Sequence, residues 1–306
     1  MAISDGALHT SQVRMNKPFD PAFKHALREW RTWPVDNEPD VIKQFDAGLN
    51  HKTALIKAAE KTFVLKVFLS NADKALAAQY WAAAIDVSPA IIFQSDKSDY
   101  CLMEYVGANS LAGRSIDDGE LQALATSLNT MHSTPAESIA KISGEFDIFY
   151  WCNQYLPTAG DCAKRIHLAL QEILGSYEAD LTVRCFCHND LVAENCFIQQ
   201  GKAVFIDWEF AQWHNPWFDL ASIIYYLKLD TGQSRLFLKT YCSGFEEKVA
   251  EDIFLTSQIA LLWGDMLWHL AMYGESFWPA LSNKMRDLQG LARQLDTELP
   301  TPTIVI

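Results

Sequence analysis

The stretch HNDLVAENCFIQQGKAVFIDWE, residues 188–209, carries the most specific pattern in this chain of 306 residues. It contains H-x-D-x-x-x-x-N, formed by His188, Asp190 and Asn195, followed by two short apolar runs around a Gln-Gly pair. A glycine-containing pair between two such runs is typical of a tight hairpin turn. Since the second run ends at Asp207, the hairpin should return a carboxylate to the neighbourhood of Asp190 and Asn195.

The side chains of this stretch have the chemistry of a phosphoryl-transfer site. Such a site needs a carboxylate that orients an acceptor hydroxyl, and oxygen ligands that hold Mg²⁺ against the phosphates. Asp190 fits the first role, and Asn195 and Asp207 fit the second. If the strand continues beyond Asp207, its two-residue alternation puts Glu209 on the same face, where it could bind the metal or a cationic acceptor. His188 should brace the loop through hydrogen bonds rather than transfer a proton.

An ordinary interpretation of the same letters exists. H-x-D occurs often by chance, and Asp and Asn are common turn residues. The connection of the whole H-x-D-x-x-x-x-N pattern to a hydrophobic strand that ends in Ile206-Asp207 is far more specific, and it favours the functional interpretation.

Composition limits the partners of the chain. It has 25 Lys and Arg against 38 Asp and Glu, a formal charge of −13, which repels the phosphate backbone of nucleic acids. We therefore expect no nucleic-acid partner, whereas a small cation would be attracted. The sequence has neither a run of about 18 apolar residues nor an apolar signal-peptide segment near its start, so we expect a cytoplasmic protein without a membrane partner. The pattern gives no indication of an oligomeric state.

Seven cysteines are scattered along the sequence. Their odd number and irregular spacing favour reduced thiols over a disulfide framework. Cys185, Cys187 and His188 form a tight group that could bind zinc, although C-x-C-H lacks the two separated ligand pairs typical of a structural zinc site. A zinc-binding protein therefore stays as an alternative.

Hydrophobic periodicity divides the chain into a strand-rich part and a mainly helical part, connected near residues 104–110. The first part should contain helices at 21–32 and 73–85 and strand pairs at 45–68 and 91–106. The second part should contain one strand pair, at 196–209, and helices at 118–132, 150–156, 162–177, 219–229, 233–242 and 246–273.

The stretch 188–209 and the FAQWHNPWFDLASIIYY that follows it resemble the aminoglycoside phosphotransferase and choline kinase superfamily, relatives of the protein kinases. Within it, the strongest likeness is to bacterial choline, ethanolamine and thiamine kinases. The resemblance implies an α+β, bilobal protein-kinase-like fold, with a small antiparallel-sheet N-lobe in residues 1–106 and a larger, mainly helical C-lobe in residues 107–306. It also implies that Asp219 is a buried brace for the catalytic loop, and a helix N-cap is the structural alternative.

The resemblance further implies an ATP site. Lys66, in FVLKVF, would contact the α and β phosphates, because an ammonium in an apolar strand is costly unless it is paired or contacts phosphate. A solvated strand edge is the alternative for Lys66. Gly48 and Asn50 match the family's short turn over the phosphates, and backbone groups at Glu104 and Val106 match the lobe connection that binds adenine.

Aromatic residues could recognise the acceptor. Trp208 follows the metal-binding Asp207, and Trp263 and Trp268 lie in a later segment similar to the substrate-side helix of choline kinases. A ring face near a quaternary ammonium contributes about 0.5–2 kcal/mol, so these rings, with Glu209 or Asp265, could select a cation. Most tryptophans at helical spacing are core residues, and that alternative stays open.

Together these patterns predict an enzyme, an ATP-dependent and Mg²⁺-requiring phosphotransferase that acts on the hydroxyl of a small cationic alcohol such as choline, ethanolamine or thiamine. An aminoglycoside or another polyhydroxyl acceptor is an alternative, because an acidic cleft also attracts polyamines. A non-catalytic nucleotide-binding regulator is a further alternative, since residues 71–86 contain no glutamate to pair with Lys66 as in the family.

Overall fold

The computed structural model of the chain describes residues 20–45, 51–136, 144–179, 184–242 and 251–302. Gly48 and Asn50, the predicted turn over the phosphates, lie outside these ranges. The strands are β1 (Asp40–Phe45), β2 (His51–Ala58), β3 (Lys61–Phe68), β4 (Ile91–Gln94), β5 (Tyr100–Glu104), β6 (Cys185–Cys187), β7 (Cys196–Gln199), β8 (Lys202–Phe205) and β9 (Gln212–His214). The helices are α1 (Ala22–Arg28), α2 (Asp73–Ala84), α3 (Asp118–Ser133), α4 (Ile148–Tyr155), α5 (Asp161–Ala179), α6 (Pro216–Tyr226), α7 (Thr231–Tyr241), α8 (Glu251–Tyr273) and α9 (Ser282–Arg293).

The chain divides into two compact units, one formed by Met1–Asn71 and Ile92–Met103 and the other by Ala72–Ile91 and Glu104–Ile306. The lobe boundary at residue 106 stays a prediction, but α2 belongs with the second unit rather than with the strands that precede it. Its Trp81 packs against Phe186 there, with ring centroids 5.0 Å apart. The small sheet and the mainly helical remainder confirm the predicted α+β class.

The first unit is built on an antiparallel sheet in the order β1-β2-β3-β5-β4. β2 and β3 form a hairpin whose last pair is Ala58 with Lys61, and Ala59 adopts a positive φ of 50° in the tight turn. The sheet alternates as strands with one buried face do. Its inward side chains pack with α1 around the fully buried Phe23, Ile56 and Leu65.

Two short strand pairs of the second unit carry the candidate site. β7 pairs with β8 through a turn at Gln200 and Gly201, which both have positive φ, 51° and 78°. That conformation matches the twist of a two-residue hairpin, so the predicted turn is confirmed. β6 pairs with β9, Cys185 opposite His214.

The start of α6 places Asp219 inside the helix. Asn215 is the N-cap, its side chain accepting a hydrogen bond from the Trp217 N–H at 3.0 Å, and Pro216 occupies the first helical position. Pro fits this position because its missing N–H would have no partner there. The N-cap alternative for Asp219 is therefore wrong.

The helical core contains two of the tryptophans predicted to touch an acceptor. Trp263 is fully buried, and its indole N–H donates to His167 Nδ1 at 3.1 Å. Trp208 is 1% exposed and donates to the Ser88 hydroxyl at 3.0 Å. Their burial contradicts the predicted contact with an acceptor, and the core alternative holds for both.

Within the described residues, no helix combines the length and the apolar character needed to cross a membrane.

Candidate active site

The carboxylate of Asp219 holds the loop that carries Asp190 through hydrogen bonds to its backbone. Asp219 Oδ2 accepts the backbone N–H of His188, and Oδ1 accepts that of Asn189, both at 2.8 Å. Asp219 is completely buried. Since a buried charge is tolerated only when it is paired and hydrogen-bonded, these bonds fix the loop at the residues immediately before Asp190.

A third partner of Asp219 comes from the end of α3. His132 Nε2 lies 3.2 Å from Asp219 Oδ2, and His132 Nδ1 lies 2.9 Å from the Tyr241 hydroxyl. Burial opposes ionisation of Asp219, but the His132 hydrogen bond and charge outweigh it and hold its pKa below the usual value. Burial likewise opposes protonation of His132, yet the negative charges of Cys185 and Asp219 raise its pKa. This role of His132 was not predicted, because the residue lies 87 positions before Asp219 and belongs to no motif with it.

His188 braces the loop as predicted. Its Nε2 lies 2.9 Å from the carbonyl of Ile206, and its Nδ1 accepts the backbone N–H of Asp190 at 3.3 Å. These partners assign the neutral tautomer that carries its proton on Nε2. The ring packs against Trp208, with centroids 4.6 Å apart. With both ring nitrogens used internally, His188 is a positioning residue.

Asn189 adds a second brace that the sequence pattern did not reveal. Its backbone has a φ of 63°, a left-handed conformation that Asn tolerates better than most residues. Its side-chain N–H₂ donates to the carbonyl of Phe210 at 3.0 Å, and its oxygen lies 2.7 Å from His214 Nδ1. Tyr177 completes the chain, 2.7 Å from His214 Nε2. Burial lowers the pKa of His214 to about 3, so the ring is neutral and donates to Asn189.

Asp190 and Asn195 are brought together as predicted. The Asn195 side-chain N–H₂ donates to the carboxylate Oδ2 of Asp190 at 3.0 Å and to its backbone carbonyl at 2.9 Å. The Asn195 carbonyl accepts the Ile206 N–H at 3.1 Å, which ties the loop to the segment after β8. Because the amide N–H₂ faces Asp190, the amide oxygen is the atom that could bind a metal.

Asp207 and Glu209 converge on the same place, but not through a continued strand. β8 ends at Phe205, Asp207 has left-handed backbone angles (φ 70°, ψ 65°), and a 3₁₀ turn, Trp208–Phe210, follows. The predicted two-residue alternation is therefore wrong. The two carboxylates nevertheless approach each other, with oxygens within 4.8 Å. A left-handed residue before a tight turn brings them together here.

The negative charge around Asp190 is the main electrostatic feature of the site. Burial, the carboxylates of Asp207 and Glu209 and, more weakly, that of Asp265 raise the pKa of Asp190 well above its usual value, while the Asn195 hydrogen bond opposes them. Such a group of carboxylates favours a bound cation. Carboxylate and amide oxygens are the ligands that Mg²⁺ uses, so Asn195 and Asp207 fit a magnesium site and Glu209 lies within its reach.

Asp265, which was predicted with Glu209 as a possible partner of a cationic acceptor, acts on Asp190 from α8. Asp265 on α8 raises the pKa of Tyr226 as well as that of Asp190, after the larger effect of burial in each case. Lys284 on α9 forms an ion pair with Asp265, and its ammonium lies 5.5 Å from the centroid of the Tyr226 ring. An ammonium thus already sits between a carboxylate and an aromatic ring, as cations do at cation–π sites. Trp268 is one turn from Asp265 on α8 and is partly exposed.

Some groups of the residues predicted to bind ATP already have contacts within the protein. Lys66 is buried in β3, with its ammonium 5.6 Å from the Phe68 ring centroid, so the solvated-edge alternative is wrong. The Glu104 N–H donates to the Ala90 carbonyl at 3.0 Å, and the Val106 carbonyl accepts from the Gln199 side chain at 2.8 Å. These two bonds do not involve the Glu104 carbonyl or the Val106 N–H, and the adenine contact stays a prediction.

Comparison with known proteins finds one family whose pattern matches residues 41–253, the phosphotransferase enzyme family. A curated relative, protein LicA of Haemophilus influenzae, is 44% identical over 57 residues, which cover 19% of this chain and 21% of that protein. The chain thus spans about a fifth of the length of this relative.

Solved structures share the fold. The crystal structure of choline kinase LicA from Streptococcus pneumoniae is 21% identical and superposes with a TM-score of 0.68, covering 88% of this chain and 98% of that one. A structure of LicA in complex with AMP is 23% identical with a TM-score of 0.69 and the same coverage. At these identities the likeness shows the fold alone.

Replacing Asp219 by Asn should destabilise the protein and inactivate it. An amide offers one acceptor oxygen instead of two, so a buried N–H or His132 loses its partner, at about 3 kcal/mol or more. The stability that ionised Asp219 contributes is lost as the pH falls below 3.8, the ordinary pKa of Asp, because the pKa of Asp219 is lower in the folded protein. The stability that protonated His132 contributes is lost as the pH rises above 6.5, the ordinary pKa of His, because the pKa of His132 is higher in the folded protein. Urea unfolding of wild type and Asp219→Asn between pH 4 and 9 should therefore show the largest difference in the free energy of unfolding at pH values between 3.8 and 6.5. A difference that is the same at every pH would contradict the proposed role of Asp219 as a brace.

Proposed function

Because the chain belongs to the phosphotransferase enzyme family, we propose that it transfers the γ-phosphoryl group of ATP to the hydroxyl of a small cationic alcohol, with choline as the first acceptor to test. One observation carries the proposal. The carboxylate of Asp190 is held by the Asn195 amide and surrounded by the carboxylates of Asp207, Glu209 and Asp265, which raise its pKa after burial does. This arrangement supports both a metal-bound triphosphate and a positively charged acceptor.

The residues of the loop have distinct roles in the proposed reaction. Asp190 orients the acceptor hydroxyl and takes its proton as the phosphoryl group transfers in line. Asn195 fixes the rotamer of Asp190 and, with Asp207, would hold Mg²⁺. When bound, the metal would neutralise phosphate charge and position the triphosphate. Lys66 stays a prediction for the α and β phosphates.

Asp219 and His188 act through the backbone of this loop rather than on the reactants. Their hydrogen bonds end at the amide groups of His188, Asn189 and Asp190. A displacement of about 1 Å in such a loop is enough to cost roughly 100-fold in rate. Both residues are therefore positioning residues.

Choline is favoured among the acceptors for two reasons. One of the solved structures that share the fold is described as a choline kinase. The Asp265–Tyr226 group beside Asp190 already holds one ammonium, that of Lys284, and a quaternary ammonium has the same requirement for a carboxylate and a ring face. Ethanolamine and thiamine belong in the same panel, and Trp268 stays a prediction for an acceptor contact.

The test is a panel of alcohols with the wild-type protein and Asp190→Asn. Wild type with Mg²⁺ and ATP should form ADP and a phosphate ester with choline, and Asp190→Asn should lower kcat by about 10²–10⁴-fold because the hydroxyl loses its base. Nucleotide binding, followed by thermal shift, should persist in the variant. Burial and the neighbouring carboxylates disfavour the ionised form of Asp190. In the absence of nucleotide and metal, Asp190→Asn should therefore also raise Tm by about 2 °C or more.

Asp161→Asn is the matched control for this panel, since Asp161 lies at the exposed start of α5 and its side chain is 93% exposed. It should keep full activity. Transfer to aminoglycosides alone would replace choline by the polyhydroxyl alternative. Binding of Mg²⁺·ATP without transfer to any alcohol would favour the non-catalytic regulator and reject the proposal.

Replacing Lys284 by Met tests the acceptor group separately. The change frees the Asp265 carboxylate for the acceptor's charge, so the KM for a cationic acceptor should fall by about fivefold, the equivalent of about 1 kcal/mol for a partly exposed pair. Lys284→Arg keeps the charge and should leave the KM near that of wild type. Steady-state kinetics of both variants decide the point, and an unchanged or higher KM in Lys284→Met would place the acceptor elsewhere.

A further inference from the structure

Two thiols and an imidazole, which are soft metal ligands, lie close together next to the start of the loop that carries Asp190, and the proposed reaction does not use them. Cys185 and Cys187 are two residues apart in β6, so their side chains point to the same face of the strand, and their sulfur atoms are 3.5 Å apart. A ring nitrogen of His132 joins them from α3, and the three ligand atoms lie within 4.8 Å of one another. The predicted grouping of these cysteines with His188 is wrong, because the His188 nitrogens bond Ile206 and Asp190.

The spacing of these atoms matches a tetrahedral metal site. Two sulfur ligands at about 2.3 Å from a tetrahedral ion are about 3.8 Å apart, close to the 3.5 Å between Cys185 and Cys187. Sulfur and imidazole are the ligands that zinc and other soft cations prefer. Asp219, whose charge acts on Cys185, supplies a nearby negative charge. The group is thus nearly arranged for an ion before one is bound.

A disulfide explains the same pair less well. Residues i and i+2 of a strand have Cα atoms about 6.6 Å apart, at the upper end of the range that a disulfide spans. The two thiols are free in the structure. A bridging ion requires no such approach, since it lies between the sulfur atoms.

We propose that Cys185, Cys187 and His132 form a binding site for a soft divalent cation of the zinc and cadmium class. Binding replaces the thiol protons, which pass to solvent, and replaces one hydrogen bond of the His132 ring, with Tyr241 or with Asp219. The ion would tie α3 to β6, directly before the loop residue His188. The site is separate from the carboxylates that fit Mg²⁺, and it stands whether or not the proposed reaction is right.

The test is a cadmium titration of the chelator-treated full-length protein, with Mg²⁺ in excess to occupy the carboxylates. Wild type should bind one Cd²⁺ with the ultraviolet charge-transfer band of a cadmium thiolate, and Zn²⁺ should displace it. Cys185→Ser and Cys187→Ser should each lose most of the band and weaken binding by at least about tenfold. Where one variant fails to fold, the other decides, because each removes one thiolate.

Cys242→Ser is the matched control, because Cys242 is partly exposed whereas the other six cysteines are classed as buried. It should keep the band and the one-to-one stoichiometry. Absence of a thiolate band in wild type, retention of the band in Cys185→Ser or Cys187→Ser, or its loss in Cys242→Ser would each overturn the proposal.

Discussion

One carboxylate, that of Asp219, holds the part of the molecule on which the chemistry depends. Its two oxygens accept two successive backbone N–H groups, those of His188 and Asn189, and one of them also contacts His132. Because Asp219 is fully buried, these bonds are strong and costly to break. The side chains of His188 and Asn189 then bond Ile206 and Phe210, which fixes the loop to the segment that carries Asp207. The positions of Asp190 and Asp207 are thus consequences of buried bonds, not of the site residues alone.

The geometry so produced is electrostatically unfavourable without a ligand. The pKa of Asp190 rises because the residue is buried and because the carboxylates of Asp207, Glu209 and, more weakly, Asp265 act on it. Such a group is expected where cations complete it, and in the proposed reaction these cations are a metal with its triphosphate and the ammonium of an acceptor. Lys284 already compensates Asp265. Stability and activity should therefore oppose each other at Asp190.

Sequence predicted the parts that depend on local pattern and missed those that depend on tertiary contacts. The α+β class, the Gln200-Gly201 turn and the proximity of Asp190 to Asn195 follow from periodicity, turn chemistry and motif spacing. Four elements were not predicted, namely the helix α9, the edge strand β1 and the paired strands β6 and β9. Strands of three to six residues and a mainly polar helix show little hydrophobic periodicity. His132, His214 and Lys284 were missed because no spacing along the chain relates them to the loop. Trp208 and Trp263 were assigned to an acceptor because residue type does not distinguish a core ring from an exposed one.

The most direct test of the central claim is the affinity for Mn²⁺, a paramagnetic substitute for Mg²⁺, in the presence of a non-hydrolysable ATP analogue. Electron paramagnetic resonance should show tight Mn²⁺ binding by wild type and a loss of more than about tenfold in Asp207→Asn and Asn195→Ala. Asp265→Asn, which alters a carboxylate outside the expected ligands, should bind Mn²⁺ nearly as wild type does. Wild-type affinity in Asp207→Asn would contradict the account, because the loop and the segment after β8 would then not meet around a metal.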